Sequence, residues 1–119
     1  MAVMLDHTIV NVRSKQESAT FFAEMLGLSR PVPIGHFLAV KLDDGTSLDF
    51  AEREVHPQHY AFAVDEAEFD AVVARAKERK LPYWADPQQT RPGEIDQRGT
   101  GRAMYFSDPS GHWLEVLTK

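Results

Sequence analysis

Two spacings of apolar residues recur along the chain. Short stretches in which apolar and polar positions alternate predict β-strands, whose side chains point to opposite faces in turn. Such stretches cover residues 5–12, 37–42, 47–52, 58–64, 83–85, 102–107 and 112–117. Pro31 and Pro33 make the segment around them extended and edge-like, because proline cannot donate a hydrogen bond to a sheet.

Helical spacing, with apolar residues three and four positions apart, occurs twice. Ser14 and Asp65 each precede a glutamate by three residues, which is the capping-box pattern of a helix start. Gly27 and Pro82 are expected to end the two helices. The residues expected to be buried are Ala19, Phe22, Met25 and Leu26 in the first helix and Phe69, Val72, Val73 and Ala76 in the second.

The order of these elements, a strand, a helix and three strands, is the same in both halves of the chain. Residues 1–54 and 55–119 are therefore predicted to be two βαβββ modules of a single α+β domain. A module of about 55 residues buries too little apolar surface to be stable alone. The modules are expected to pack together or to be exchanged between chains.

Side chains with metal-binding or acid–base chemistry occupy matched positions in the two halves. His7 and His59 lie near the start of the strand that precedes a helix. Asp49 and Glu115 each follow a turn glycine by four residues, in the last strand of their half. If the first and last strands are neighbours in each sheet, these four side chains converge. Imidazole and carboxylate donors suit a divalent ion such as Zn, Mn, Fe, Co or Ni, and two histidines with one carboxylate leave positions open for substrate.

Composition narrows the class of protein. The 119 residues are 43% apolar and carry a net charge of -5, which argues against disorder and against a nucleic-acid partner. The chain has no cysteine, so a metal site must use histidine and carboxylate. No apolar run approaches the ~20 residues of a membrane span, and the first residues lack a secretory-signal pattern. We expect a cytoplasmic protein that acts on a small molecule.

Four segments carry a resemblance to a known superfamily. They are LDHTIVNV at 5–12, FFAEMLGL at 21–28, HYAFAV at 59–64 and YFSDPSGHWLE at 105–115. Together they resemble the vicinal oxygen chelate superfamily, which includes glyoxalases, bleomycin-resistance proteins, fosfomycin-resistance enzymes and extradiol dioxygenases. The resemblance covers the chain apart from a loop predicted at residues 86–101.

The resemblance implies a fold and a metal site. Paired βαβββ modules would form an open, U-shaped barrel around a divalent metal ion. His7, His59 and Glu115 match the three ligand positions typical of the family. Asp49 falls where glyoxalases place a fourth ligand, and, being shorter than glutamate, it would bind directly or through water. The family often exchanges modules, which implies a homodimer whose sites combine residues of two chains.

The reaction stays open at this point. A bound metal would stabilise an enediolate, an alkoxide or a similar anion, as in isomerases, lyases, ring-cleaving dioxygenases and epoxide-opening transferases. Asp49 is a candidate general base, and Tyr105 matches a substrate-contacting tyrosine of the fosfomycin-resistance enzymes. Ile9 and Ala85 replace a threonine and a lysine of those enzymes, which argues against thiol transfer to fosfomycin. The alternatives are a metal-free drug- or metabolite-binding protein of the bleomycin-resistance type and a degenerate member with an interaction role.

Each of the remaining candidate side chains has a structural interpretation as well as a functional one. Trp113 either lines the cavity or belongs to the core, and Lys41 either meets a substrate anion or lies at the surface. Loops as long as the one predicted at residues 86–101 are often functional in compact domains. The arginines in and after it form either a lid for an anionic substrate or a solvated surface, and the unmatched histidines are expected at the surface or in turns. These residues are Arg91, Arg98 and Arg102, and His36, His56 and His112.

Overall fold

A computed structural model describes residues 2–119, and the chain divides into two units, Met1–His56 and Pro57–Lys119. Each unit contains one helix and a four-stranded sheet, so the α+β class and the repeated order of elements are confirmed. No helix in the described residues is long and apolar enough to cross a membrane.

The first unit contains β1 (His7–Val12), α1 (Lys15–Met25), β2 (Val32–Ile34), β3 (Phe37–Lys41) and β4 (Ser47–Glu52). The second unit contains β5 (His59–Ala63), α2 (Glu66–Glu78), β6 (Asp96–Arg98), β7 (Gly101–Ser107) and β8 (Trp113–Leu117).

The first and last strands of each unit are parallel neighbours. The strand order is β1-β4-β3-β2 in one sheet and β5-β8-β7-β6 in the other. Ile9 pairs with Asp49 in the first sheet, and Ala61 pairs with Glu115 in the second. Because side chains alternate along a strand, His7 shares a face with Asp49, and His59 shares a face with Glu115. The predicted donor side chains can converge within each half because these two strands are neighbours.

Both helices begin and pack as their sequences predict. The Ser14 hydroxyl accepts a hydrogen bond from the Glu17 N–H at 3.2 Å, and the Asp65 carboxylate accepts one from the Glu68 N–H at 2.7 Å. All eight residues of the predicted stripes are buried. Helix α1 packs against β3 and β4. Helix α2 ends at Glu78, before Pro82, because the chain turns into a left-handed conformation at Lys80 (φ 54°).

The second unit departs from the prediction between its helix and β7. The predicted strand at 83–85 is only a pair of isolated bridges, from Trp84 to Pro92 and to Tyr105. The strand that completes the sheet is β6, inside the segment expected to be a loop. β6 is short and entirely polar, so apolar spacing gives no signal for it, and its antiparallel pairing with β7 determines its position.

A tight turn precedes β8 and sets the direction of this strand. Asp108 accepts hydrogen bonds through Oδ1 from the N–H groups of Ser110 (3.1 Å) and His112 (2.7 Å). Gly111 adopts φ +94°, which other residues avoid. His112 is 1% exposed, and its Nδ1 accepts the N–H of Gln58 at 3.0 Å. His112 therefore lies in the turn, which was one of its two expected places, and not at the surface. It directly precedes β8 and alternates with Trp113, so its side chain faces the core.

Candidate functional site

His59 and Glu115 form the centre of the candidate site in the second unit. The strand pairing of β5 with β8 brings His59 Nε2 to 3.1 Å from Glu115 Oε1. The Glu115 side chain is 10% exposed and the His59 side chain 47% exposed. The carboxylate therefore lies in the sheet while the imidazole remains accessible from solvent.

The hydrogen bond on the other side of the ring fixes the tautomer of His59. Nδ1 lies 3.0 Å from the carbonyl oxygen of Trp113, which can only accept, so Nδ1 carries a hydrogen. The Nε2 lone pair of a neutral His59 then faces an oxygen of the Glu115 carboxylate. Two lone pairs at this distance repel unless a cation, either a proton or a metal ion, lies between them. A histidine that binds a metal through one ring nitrogen typically donates its other N–H to a carbonyl or carboxylate, as His59 does here.

The chemistry of the two donors fits a divalent metal ion. Two ligands that bind one ion at about 2.1 Å lie about 3.0 Å apart at a right angle and about 3.4 Å apart at the tetrahedral angle. The 3.1 Å between His59 Nε2 and Glu115 Oε1 lies within this range and is also the length of a hydrogen bond.

Arg98 binds the other oxygen of Glu115, and the sequence did not single out this contact. An N–H of Arg98 donates to Glu115 Oε2 at 3.2 Å, and another donates to the Tyr105 hydroxyl at 2.5 Å. Arg98 Nε donates to Asp96 at 2.7 Å. These bonds hold the pKa of Arg98 above its usual range, with the Asp96 contact as the largest cause. In the sequence, only the alternation of Asp96 and Arg98 could have indicated this contact, but both residues lie in a segment that was predicted to be a loop.

Aromatic rings lie beside this charged cluster. Tyr105 stacks on His59 and on Trp113, with ring centroids 6.2 Å apart in both pairs. Trp113 also contacts Trp84 at 5.5 Å. The indole Nε1 of Trp113 is buried, and no acceptor reaches it within residues 2–119. The rings of Trp84, Trp113 and Tyr105 are called the aromatic wall below. They form an apolar cluster with one unused donor, the indole N–H of Trp113.

Tyr105 is 4% exposed and stays a neutral phenol. Burial raises its pKa, the hydrogen bond from Arg98 opposes this rise, and the charge of Glu115 and a hydrogen bond to Glu115 add to it. The neutral phenol thus donates its O–H to Glu115 while its oxygen accepts from Arg98.

The first unit holds the other two predicted donors. His7 Nδ1 lies 2.7 Å from the Asp6 carboxylate, so His7 also has an orienting acceptor and an outward-facing Nε2. The hydrogen bond to Asp6 is the largest cause that raises the pKa of His7, and the charge of Asp49 raises it further. Asp49 is half-buried, and its Oδ1 accepts the Ser47 hydroxyl at 2.7 Å.

The four predicted donors thus fall into two pairs, one in each unit. Over residues 2–119, neither unit groups three His, Cys, Asp or Glu side chains that could hold a metal ion. A site built from His7, His59 and Glu115 needs donors from both units, and this ligand set stays a prediction.

The arginines expected to form one lid serve two different faces. Arg91 donates to Asp96 at 2.9 Å and so supports Arg98. Arg102 instead pairs with Glu66 (2.6 Å) and Asp70 on α2 and lies over the ring of Phe69. Arg98 on β6 and Arg102 on β7 point to opposite faces of the sheet, because side chains alternate along each strand.

The segment predicted as a loop is held by its own hydrogen bonds. Asp86 accepts from the backbone N–H groups of Thr90 and Arg91 at 3.0 Å. Lys41, His36 and His56 are exposed, in agreement with the surface readings.

The chain is similar to known proteins over nearly its whole length. The family model described as Glyoxalase/Bleomycin resistance protein/Dioxygenase superfamily matches residues 4–116. Glutathione transferase FosA of Serratia marcescens is 32% identical, over 98% of this chain and 81% of the relative. The solved structure of Oxidase ChaP-H1 is 50% identical with a TM-score of 0.95, over 99% of this chain and 97% of that one. Oxidase ChaP-H2 is 47% identical with a TM-score of 0.96, over 100% and 95%.

The substitution Asp6→Asn should lower the pKa of His7 in the metal-free protein toward the ordinary value of about 6.5, because it removes the carboxylate that stabilises the imidazolium. Histidine titration followed by NMR measures the change. Asp43→Asn, an exposed acid in the β3–β4 turn, is the control. Both groups are exposed, so salt should shrink the effect. An unchanged His7 pKa would show that the Asp6 contact is not formed in solution.

Proposed function

Because the chain belongs to the Glyoxalase/Bleomycin resistance protein/Dioxygenase superfamily, we propose that it is a divalent-metal-dependent enzyme that acts on a small, oxygen-rich substrate bound through two oxygens. One observation carries the proposal. The Nδ1–H of His59 is tied to a backbone carbonyl, which aims the Nε2 lone pair at a carboxylate oxygen 3.1 Å away. A divalent cation could bind the nitrogen and the oxygen of this pair together.

The proposed ligands are His59 and Glu115 from the second unit and His7 from the first unit, of the same chain or of a partner chain. Each histidine has an acceptor on Nδ1, the carbonyl of Trp113 for His59 and the carboxylate of Asp6 for His7. Both rings therefore offer Nε2. A bound divalent ion supplies Lewis acidity and, if it is iron, one-electron chemistry.

Asp49 and Tyr105 are proposed to act on the substrate. Asp49 is one methylene shorter than the glutamate of glyoxalases, and Ser47 already occupies its Oδ1. We assign it the role of a general base or of a ligand that reaches the metal through water. Tyr105 is a neutral phenol that donates to Glu115, and a substrate oxygen that gains negative charge would compete with Glu115 for this hydrogen.

Among reaction types, we propose oxidation of the bound substrate with dioxygen as the electron acceptor. Two proteins with oxidase as their printed name share 50% and 47% identity over nearly the whole chain. Two histidines and one carboxylate are also the donor set of non-haem iron oxygenases. The glutathione transferase is 32% identical, and Ile9 and Ala85 depart from the fosfomycin-resistance pattern.

The rival function is metal-free binding of a drug or metabolite. The aromatic wall of Trp84, Trp113 and Tyr105 would serve that function equally well. The oriented pair of His59 and Glu115 favours the enzyme, because it offers a nitrogen and an oxygen donor to one metal ion. A cytoplasmic location stays a prediction from composition.

Removal of a ligand should abolish metal binding. Protein purified without chelator is expected to contain stoichiometric metal, and His59→Ala and Glu115→Gln are expected to lose it. His36→Ala is the control, since its exposed side chain lies outside the site. Metal at 100 times its Kd should stabilise the wild type by about 2.7 kcal/mol and so raise its Tm. A wild type without metal, whose Tm does not respond to Zn, Mn or Fe, would contradict the metal-dependent function.

The chain should not add glutathione to fosfomycin. With Mn²⁺, fosfomycin and glutathione, mass spectrometry is expected to show no adduct, because Ile9 and Ala85 replace polar groups of the transferase pattern. An active fosfomycin glutathione transferase serves as the positive control. Formation of the adduct at a comparable rate would reject oxidation in favour of thiol transfer.

We also propose a homodimer in which the sites are shared. Large apolar side chains of the first unit are exposed, and such groups mark interaction surfaces. In the described residues they are Val3 (98%), Met4 (83%), Leu5 (66%), Ile9 (40%), Val32 (57%) and Ile34 (52%). Sedimentation at micromolar concentration should give a mass near twice the 13.4 kDa of the chain, and Met4→Glu should shift the mass toward that of the monomer. A wild-type mass of 13.4 kDa would remove the dimer from the proposal.

A further inference from the structure

The two oxygens of Glu115 have different partners. Oε1 faces Nε2 of His59 at 3.1 Å, and Oε2 accepts an N–H from Arg98 at 3.2 Å. A carboxylate binds a metal ion through one oxygen or through both. The bond to Arg98 is charge-assisted and occupies one of the lone pairs of Oε2, so a divalent ion bound through both oxygens would compete with Arg98 for the charge of that oxygen.

Arg98 is itself held in place from two further directions. Its Nε donates to Asp96 Oδ2 at 2.7 Å, and one terminal nitrogen donates to the Tyr105 hydroxyl at 2.5 Å. Arg91 donates to the other oxygen of Asp96 at 2.9 Å, so that carboxylate is fixed between two guanidinium groups. The β6–β7 pairing, which places Asp96 opposite Ala103, fixes the backbone beneath the cluster. The guanidinium therefore meets Glu115 as a rigid, preformed group.

We propose that Arg98 is a positioning residue for the metal site. By holding Oε2, it limits Glu115 to one metal-binding oxygen and keeps a coordination position open for an anionic substrate that chelates through two oxygens. The inference rests on the proposed metal-dependent function.

The charge of the cluster supports an anionic substrate. Arg91 and Arg98 carry two positive charges against the negative charges of Asp96 and Glu115, so the four groups are neutral together. A bound divalent ion gives this part of the site a net positive charge. Arg98 uses three of its five N–H groups in the contacts above, which leaves two, and its side chain is 48% exposed. An incoming anion can reach them.

Removal of Arg98 should move two binding constants in opposite directions. In Arg98→Met, Mn²⁺ should bind about tenfold more tightly, because Glu115 gains its second oxygen and a nearby positive charge is lost. Oxalate, a dianion with two chelating oxygens, should bind the Mn²⁺-loaded variant about tenfold more weakly, because it loses a coordination position and a charged donor. Calorimetric titration measures both constants.

Two variants complete the experiment. Arg98→Lys keeps the positive charge without the planar fork, so its Mn²⁺ affinity should stay near that of the wild type and oxalate binding should fall by less than in Arg98→Met. Arg102→Met removes an arginine that pairs with Glu66 and Asp70 on α2, and it should change neither constant. General loss of structure would weaken both ligands, so tighter metal with weaker oxalate distinguishes positioning from folding.

The outcomes divide clearly. Tighter Mn²⁺ with weaker oxalate in Arg98→Met, graded in Arg98→Lys and absent in Arg102→Met, supports the proposal. Any other pattern in a wild type that binds Mn²⁺, including weaker binding of both ligands, overturns it and leaves the metal-dependent function standing. A wild type that does not bind Mn²⁺, Zn²⁺ or Fe²⁺ overturns both.

Discussion

A carboxylate in the middle of an apolar sheet requires a partner, and the second unit is built around that requirement. Glu115 is nearly buried on β8, where an unpaired charge would cost several kcal/mol. The parallel neighbour β5 brings His59 to one oxygen, and β6 brings Arg98 to the other. Each of these strands takes its place through ordinary sheet pairing, so the backbone topology determines which side chains can satisfy Glu115.

The two units solve the problem of orienting a histidine in different ways. His59 is oriented by a backbone carbonyl of the adjacent strand, which no substitution of a side chain can remove. His7 is oriented by the preceding residue, Asp6, which is 93% exposed. The first orientation is built into the sheet and the second is a surface contact weakened by salt. A metal ion that used both histidines would therefore be held by one rigid donor pair and one adaptable donor.

Much of the fold could be predicted because its residues obey simple periods. The apolar stripes of α1 and α2 and the caps at Ser14 and Asp65 follow from spacing alone. The shared face of His59 and Glu115 follows from alternation once β5 and β8 are neighbours. Spacing could not predict β6, because Asp96–Arg98 has no apolar residue and its pairing depends on β7. The partner of Glu115 that lies on β6 was missed for the same reason. Conversely, His112 could have been placed in the core from alternation with Leu114 and Val116, but the turn before it suggested a surface position.

Anomalous diffraction from crystals of the Mn²⁺-loaded protein tests the central claim most directly. We expect one strong anomalous peak about 2.0–2.3 Å from Nε2 of His59 and from a single oxygen of Glu115, with His7 as a further ligand and Arg98 still bound to the second oxygen. A peak at any other place, or an unchanged contact between His59 and Glu115 with no peak between them, would contradict it.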